Sequence, residues 1–204
     1  MLSLAHRCIF VHVQKTGGES IGAMLGAEPG DQHKHRTALE LRALYGDEVW
    51  ASCFKFAFVR NPWDRLVSWW SMIDAMRPNL ASSQVNPFQR FILTRATTFA
   101  EFLLNCDEVV EDHDGRKHIF QNQIDYLADE RGTLLVDYVG RFETLHEDAL
   151  YIAERLGLSA SLPHLNPSRH APYARYYDRA LALLVAKRYA PDIEAFGYSF
   201  SESA

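Results

Sequence analysis

Two short apolar segments, each followed by a turn and then by a helix-forming segment, constrain the fold of this chain most. Residues 8–13 (CIFVHV) are β-branched and aromatic, and they are followed by Gly17 and Gly18. Residues 53–59 (CFKFAFV) alternate bulky apolar side chains and end at Arg60-Asn61-Pro62. Such segments are typical of buried strands, and Asn followed by Pro is typical of a helix start. The sequence therefore predicts two strand–loop–helix units.

Local signals predict further elements. Ser/Thr-x-x-Glu capping boxes predict helix starts at Thr37, Thr98 and Thr144, with helix ends near Gly46 and Gly157. Helices are also expected through residues 20–25 and 180–189, and a third strand over residues 134–139. The helix after Pro62 carries an apolar stripe at helical spacing, formed by Leu66, Trp69, Trp70 and Ile73. The acidic segment 107–114 is interpreted as a solvated loop. Alternating strands and helices favour a compact α/β sheet fold.

Size and charge limit the possible function classes. With 204 residues, 48% of them hydrophobic, we expect a single domain over residues 1–204. The net charge of -5 argues against a nucleic-acid binder but is compatible with a local basic site for an anionic ligand. The three cysteines form no Cys-x-x-Cys pair, which favours a reduced, cytoplasmic setting. No apolar run approaches the roughly 20 residues that span a bilayer, so no transmembrane segment is expected.

The loop after the first predicted strand suits an anion. Residues 15–20 (KTGGES) lie where exposed backbone N–H groups and the helix dipole favour negative charge. Glycines let the main chain approach the anion, Lys15 supplies a positive charge, and the Thr16 and Ser20 hydroxyls can donate hydrogen bonds. Lys15 precedes both glycines, unlike the lysine of a Walker A motif, which disfavours nucleoside triphosphatase chemistry. Taken alone, the segment also fits an ordinary glycine-containing turn.

A second polar group follows the second predicted strand. Arg60 lies at the strand end, and Ser68 lies about two turns into the next helix. Both can face the same anion if the strand end folds beside that helix. Asp64 and Arg65 are interpreted as a structural ion pair.

The two loops together resemble a known family. Residues 10–18 (FVHVQKTGG) and 56–68 (FAFVRNPWDRLVS) are similar to the carbohydrate sulfotransferases, the family that includes the heparan sulfate 2-O-sulfotransferases. Two linked motifs are much more specific than one. The similarity covers nearly the whole chain, because it continues in residues 139–143 (VGRFE), 162–166 (LPHLN) and 192–198 (DIEAFGY).

This resemblance implies a P-loop-like, three-layer α/β fold with a short central parallel sheet flanked by helices. It implies 3'-phosphoadenosine-5'-phosphosulfate (PAPS) as donor, with no metal required. The residues that match the donor-binding motifs are Lys15, Thr16, Gly17, Gly18, Ser20, Arg60 and Ser68. The first five would hold the 5'-phosphosulfate and the last two the 3'-phosphate. Glu19 departs from the family, which often has Thr or Ser there, and its carboxylate would repel an anion unless directed to solvent.

Transfer to an alcohol needs a base as well as charge neutralisation. Lys15 is expected to stabilise the equatorial oxygens and the leaving phosphate. Histidine is the side chain whose ordinary pKa lies near neutrality. Related enzymes carry a catalytic histidine between the two phosphate motifs, where His33 and His35 resemble a His-x-His pair of the 2-O-sulfotransferases, so we expect one of them to be the base. His118 is a weaker candidate, and His12 is expected to be a hydrogen-bonded core residue.

The expected function is therefore transfer of a sulfuryl group from PAPS to a hydroxyl of a carbohydrate or other hydroxyl-bearing acceptor, by in-line transfer. One alternative is a small-molecule kinase with a degenerate phosphate loop, which would need a Mg²⁺ carboxylate after a strand, and Asp137 is the candidate for it. A second alternative is a catalytically inactive nucleotide-binding module. The intact Lys15, Arg60 and Ser68 argue against the inactive module.

Overall fold

The structure is a computed structural model and describes residues 1–26, 34–112, 115–158 and 170–201. Within these residues the strands are β1 Leu2–Ser3, β2 Cys8–Val11, β3 Phe54–Val59, β4 Val110–Asp112, β5 Gly115–Lys117 and β6 Tyr138–Arg141. The α-helices are α1 Gly18–Met24, α2 Ala38–Tyr45, α3 Asp47–Ser52, α4 Pro62–Asp74, α5 Pro87–Arg95, α6 Phe99–Asn105, α7 Ile124–Leu127, α8 Leu145–Arg155, α9 Arg179–Arg188 and α10 Ala190–Phe196.

The chain divides into two compact units. The first is formed by Met1–Arg60 with Gln123–Pro167, and the second by Asn61–Asn122 with Ser168–Ala204. A single domain over residues 1–204 stays a prediction.

A four-stranded sheet with the order β1-β2-β3-β6 forms the centre of the first unit. β2, β3 and β6 are parallel, with Phe10 opposite Phe56 and Phe56 opposite Tyr138, while β1 adds an antiparallel edge. The predicted α/β class with a short parallel sheet and flanking helices is confirmed. The carboxyl ends of parallel strands meet at one edge of a sheet. The loop after β2 and Arg60, which directly follows β3, therefore lie at the same edge.

The core of the first unit packs α1 and α8 against one face of the sheet. Aromatic side chains on neighbouring strands dominate this face, and the rings of Phe10 and Phe56 stack at 5.2 Å. The cluster also contains Cys8, Ile21, Met24, Leu25, Phe58, Ala149, Ile152 and Ala153. The alternate residues Ile9, Val11, Ala57 and Val59 are buried as well, so both faces of the sheet are covered. Such a core holds the strand ends, and hence the loops after them, in fixed positions.

Helix α4 organises the second unit much as the sequence predicts. The Asn61 side chain accepts hydrogen bonds from the N–H groups of Trp63 and Asp64, and Pro62 is the first helical residue. The predicted stripe of Leu66, Trp69, Trp70 and Ile73 is buried. Arg65 is buried too and donates to Gln121 O at 3.0 Å and to Tyr189 Oη at 3.4 Å, contacts that tie the unit together.

Two sequence-based expectations were wrong in detail. The third strand is β6, Tyr138–Arg141, rather than residues 134–139, because the main chain pairs with β3 only from Asp137 N, which donates to Lys55 O. The acidic segment is not simply a solvated loop, since β4 and β5 form a hairpin in which Lys117 and Asp112 make a buried ion pair at 2.9 Å.

Two of the three predicted capping boxes are present in the structure. Those at Thr37 and Thr98 are confirmed, and Asn86 with Gln89 forms another that a Ser/Thr pattern misses. The box at Thr144 was wrong. Thr144 is the N-cap residue of α8, but its side chain accepts no hydrogen bond from the helix, and its hydroxyl donates to Asp148 Oδ2 at 2.8 Å.

Candidate functional site

The loop between β2 and α1 contains two residues in the left-handed backbone region. Lys15 has φ 68° and Gly17 has φ 83°. Left-handed residues alternating with right-handed ones turn successive N–H groups toward one side and create a concave site for anions. The helix that follows begins at Gly18, so its first N–H groups add to the same edge. The backbone here has the form expected of a phosphate-binding loop.

Both glycines of this loop are also required by close approach. A Cβ built at Gly17 would lie 2.8 Å from Leu145 Cδ2, and one built at Gly18 would lie 1.9 Å from His12 Nε2. The loop therefore lies directly on the His12 imidazole and on the turn that begins α8.

Gly18→Ala is expected to destabilise the fold by about 1–3 kcal/mol, because the added methyl overlaps the His12 ring in a well-packed site. Alanine at an exposed helix start would otherwise be favourable. Urea unfolding measures the change. The matched test is a cycle with His12→Ala, where the double variant should lose less than the sum of the two single changes. Additive losses, or a harmless Gly18→Ala, would contradict the contact.

The two hydroxyls of the loop are both buried. Thr16 donates its proton to Val13 O at 2.8 Å, which closes the loop on itself. In this arrangement Thr16 offers an anion its main-chain N–H rather than its hydroxyl proton. Ser20 lies in the first turn of α1, where its N–H donates to Gly17 O at 3.1 Å.

Lys15 has a perturbed ammonium group. Burial and the positive charge of Arg60 lower its pKa from 10.5 to about 8, with Glu19 acting in the opposite direction. Burial lowers the pKa because it removes water from the charged form. A cation held close to a second cation is a suitable partner for a doubly charged anion.

Glu19 forms a surface ion pair. Its side chain is about half exposed and pairs with the Lys34 ammonium group. The carboxylate that departs from the family pattern is therefore neutralised at the surface, and the same pair joins α1 to the segment that carries His35.

Arg60 is almost fully buried, with 2% of its surface exposed. Gln123 clamps its main chain by accepting from Arg60 N at 2.8 Å and donating to Arg60 O at 2.7 Å. The guanidinium donates from Nη1 to Lys15 O at 3.3 Å, and its carbon lies 3.9 Å from the centre of the Phe142 ring. The structure thus brings Arg60 to the loop between β2 and α1 within the first unit.

Ser68 lies in the second unit, buried on α4. Its participation in one anion site with Arg60 stays a prediction.

Three histidines bear on the search for a base. His33 lies outside the described residues. His35 is half-buried in a left-handed backbone conformation with φ 68°, and its ring centre lies 4.7 Å from that of His12. His12 stacks on Phe10 at 5.3 Å. Burial, together with the charges of His35 and Lys34, holds the pKa of His12 well below its usual value, so this imidazole is neutral.

His118, the weaker candidate, has a structural role. Its Nδ1 accepts from Phe120 N at 3.2 Å, and its Nε2 therefore donates to Asp107 O at 2.6 Å. Both ring nitrogens hold the main chain of the second unit, which leaves neither to accept a substrate proton.

Sequence reasoning missed three contributors to this site. Gln123 and Phe142 reach Arg60 from distant segments, and His12 lies against the loop rather than only in the core. The alternation of β2 was a usable signal for His12, because Phe10 and His12 share a face of the strand. No local pattern marks Gln123, whereas Phe142 belongs to the VGRFE segment of the resemblance.

Other features of the molecule lie elsewhere. A groove of about 770 Å³ in the second unit is lined by aromatic and aliphatic side chains with Arg175 and Arg179, and none of the sequence-predicted site residues lines it. Within the described residues, His, Cys, Asp and Glu side chains form no group of three or more suited to a metal ion. None of the helices in the described part of the chain is both long and apolar enough to cross a membrane.

Comparison with known protein families agrees with this geometry. A family model described as "Sulfotransferase family" matches residues 2–199. The match covers nearly the entire chain, so the chain belongs to the sulfotransferase family, whose members transfer sulfuryl groups. The P-loop-like character of the fold follows from this membership together with the sheet and loop described above. No curated protein and no solved structure matches the chain.

Proposed function

We propose that this protein transfers a sulfuryl group from PAPS to a hydroxyl group of a carbohydrate or other hydroxyl-bearing acceptor. The observation that carries the proposal is the Lys15 loop: two left-handed residues shape an anion-binding backbone beside two basic side chains, Lys15 and Arg60, in a chain of the sulfotransferase family.

The residues of this loop fit a phosphosulfate. Gly17 and Gly18 leave no room for a Cβ, so the main chain itself lines the cradle. Lys15 supplies the charge, while Thr16 and Ser20 contribute from the turn and from the start of α1. The donor supplies the activated sulfuryl group, and the chain supplies fixed dipoles and cations for its oxygens.

We propose Arg60 and Ser68 as ligands of the donor's 3'-phosphate. The Arg60 guanidinium is oriented by Lys15 O and by the Phe142 ring, which favours paired hydrogen bonds to a phosphate. The assignment of Ser68 rests on the sequence resemblance.

Transfer requires the acceptor oxygen to bond to sulfur as the bond between sulfur and the bridging phosphate oxygen breaks. Lys15 balances the negative charge that develops on that bridging oxygen. A histidine takes the hydroxyl proton, and His33 or His35 is proposed for this role. His12 joins them as a candidate, because its ring lies against Gly18 and beside His35.

Substitution of the base is expected to lower kcat by about 10²- to 10⁴-fold and to remove the acidic limb of the pH profile. The variants are His33→Ala, His35→Ala and His12→Asn, with exposed His146→Ala on α8 as the matched control. Loss of a contact to the acceptor would mainly raise KM. Donor affinity, measured by calorimetry, should survive in all four. Parental kcat and an intact acidic limb in every variant would exclude a histidine base at these positions.

The function is tested by incubating the protein with isotopically labelled PAPS and carbohydrate acceptors, followed by mass spectrometry of the products. A labelled sulfate ester is the expected result. Thermal stabilisation by 3',5'-adenosine bisphosphate without metal supports the donor assignment, whereas stabilisation only by ATP with Mg²⁺ indicates the kinase. Bisphosphate binding without any labelled product indicates an inactive nucleotide-binding module.

The carboxylate that the kinase would need is already engaged. Asp137 accepts from Lys55 N at 2.7 Å and pairs with Lys55 Nζ at 2.9 Å, which fastens β6 to β3. This observation favours sulfuryl transfer over metal-dependent phosphoryl transfer.

We also propose that the protein works in the cytoplasm. Cys8, Cys53 and Cys106 are free thiols in the structure, as expected in a reducing compartment.

A further inference from the structure

Phe142 contacts both parts of the candidate donor site in the first unit. Its ring centre lies 3.9 Å from the guanidinium carbon of Arg60. Its Cδ2 lies 3.4 Å from the position that a Cβ on Gly17 would occupy, so the same ring borders the phosphate loop. One aromatic side chain therefore borders both the residue proposed for the 3'-phosphate and the loop proposed for the 5'-phosphosulfate.

The turn that carries Phe142 is itself held in place by Asp148. This carboxylate accepts from Arg141 N at 2.7 Å, from Thr144 Oγ1 at 2.8 Å and from Tyr138 Oη at 2.6 Å. The three hydrogen bonds link both end residues of β6, and the turn after it, to the first turn of α8. The ring is consequently presented by a rigid turn.

Several contacts of the first unit fix Arg60. Gln123 holds its main chain, Lys15 O accepts from Nη1, and Phe142 covers one face of the guanidinium. An aromatic face attracts a cation and shields that side from water, while the N–H groups in the guanidinium plane stay directed to its edges. A phosphate can then be met by donors that need no reorganisation.

We propose that Phe142 is a positioning residue that orients Arg60 and thereby determines the preference for a nucleotide carrying a 3'-phosphate. The proposal rests on the proposed function, because it takes Arg60 as the ligand of that phosphate. Phe142 acts through Arg60, so its removal affects ligands with the 3'-phosphate and spares ligands without it.

The test compares 3',5'-adenosine bisphosphate with adenosine 5'-monophosphate by calorimetry. Phe142→Leu is expected to weaken the affinity for the bisphosphate about 3- to 30-fold, the range of a desolvated cation–π contact. The affinity for the monophosphate should change by less than about twofold. Phe142→Tyr, which keeps the aromatic face, should restore the parental ratio. In an Arg60→Ala background, Phe142→Leu should produce no further selective loss.

Leu145→Val is the matched control, since Leu145 contacts Gly17 from the same turn. It should alter both ligands equally or neither. Binding of the monophosphate verifies that each variant is folded, and Phe142→Met replaces the leucine variant if that binding is lost.

The outcomes separate the two levels of the proposal. A parent protein that binds both nucleotides equally would overturn the 3'-phosphate assignment of Arg60, and with it the proposed donor. A parent that prefers the bisphosphate, with the same preference in Phe142→Leu, would overturn the role of Phe142 alone.

Discussion

Lys15→Met is expected to lower turnover by about 10²- to 10³-fold, the usual loss when one preorganised group that stabilises developing charge is removed. The same change should stabilise the free protein at neutral pH by up to about 3 kcal/mol. Folding lowers the pKa of Lys15 from 10.5 to about 8, which means that the charged lysine destabilises the folded state at neutral pH. Each unit of such a shift corresponds to about 1.4 kcal/mol, a cost that methionine removes. Steady-state kinetics and urea unfolding measure the two effects.

The pH dependence of this gain has a definite sign. Between about pH 8 and pH 10.5 the unfolded Lys15 binds a proton that the folded one has released, so the stability of the parent rises with pH across this window. The stability difference between parent and Lys15→Met should therefore shrink over the same window. A constant difference would mean that Lys15 is not the titrating group.

Lys15→Arg is the control for charge. The affinity of the parent protein for the donor product, 3',5'-adenosine bisphosphate, should fall as pH rises through about 8, because Lys15 loses its proton there. Arginine stays charged, so this basic limb should disappear in the arginine variant even if the affinity itself changes. Unchanged turnover in Lys15→Met would remove Lys15 from the mechanism altogether.

Arg60→Ala is expected to weaken the affinity for 3',5'-adenosine bisphosphate by about 10- to 100-fold, the range of charge-assisted hydrogen bonds. The affinity for adenosine 5'-monophosphate should fall much less. Gln123 bonds to the main chain of residue 60, so its clamp remains in the variant. The pKa of Lys15 should rise as well, because Arg60 contributes to lowering it. The basic limb of the binding profile should accordingly move to higher pH.

Arg42→Ala is the matched control for loss of one positive charge in the first unit. Arg42 is exposed and pairs with Asp47, apart from the phosphate loop in the sequence. It should leave the ratio of the two affinities and the basic limb unchanged. If Arg60→Ala lowers the affinities for both nucleotides equally, the 3'-phosphate assignment is contradicted.

The sequence by itself determined the features that depend on neighbouring residues. The β-branched and aromatic residues of segment 8–13 and the apolar alternation of residues 53–59 produced β2 and β3, and the capping boxes at Thr37 and Thr98 began α2 and α6. The glycines after Lys15 predicted the tight turn between β2 and α1, because close approach and a left-handed backbone both favour residues without a Cβ.

Only the tertiary structure decided how the site is assembled. Gln123 meets Arg60 across 63 positions of the chain, and Phe142 meets it from the turn before α8. The exact start of β6 depended on its pairing with Lys55, and the Thr144 hydroxyl donates to the Asp148 carboxylate and makes no capping bond to the main chain of α8. Some of these contacts join residues far apart in the sequence. In the others, a polar group has several possible hydrogen-bond partners of similar strength. Local propensity does not distinguish among such partners, because packing of the whole sheet selects which of them come within reach.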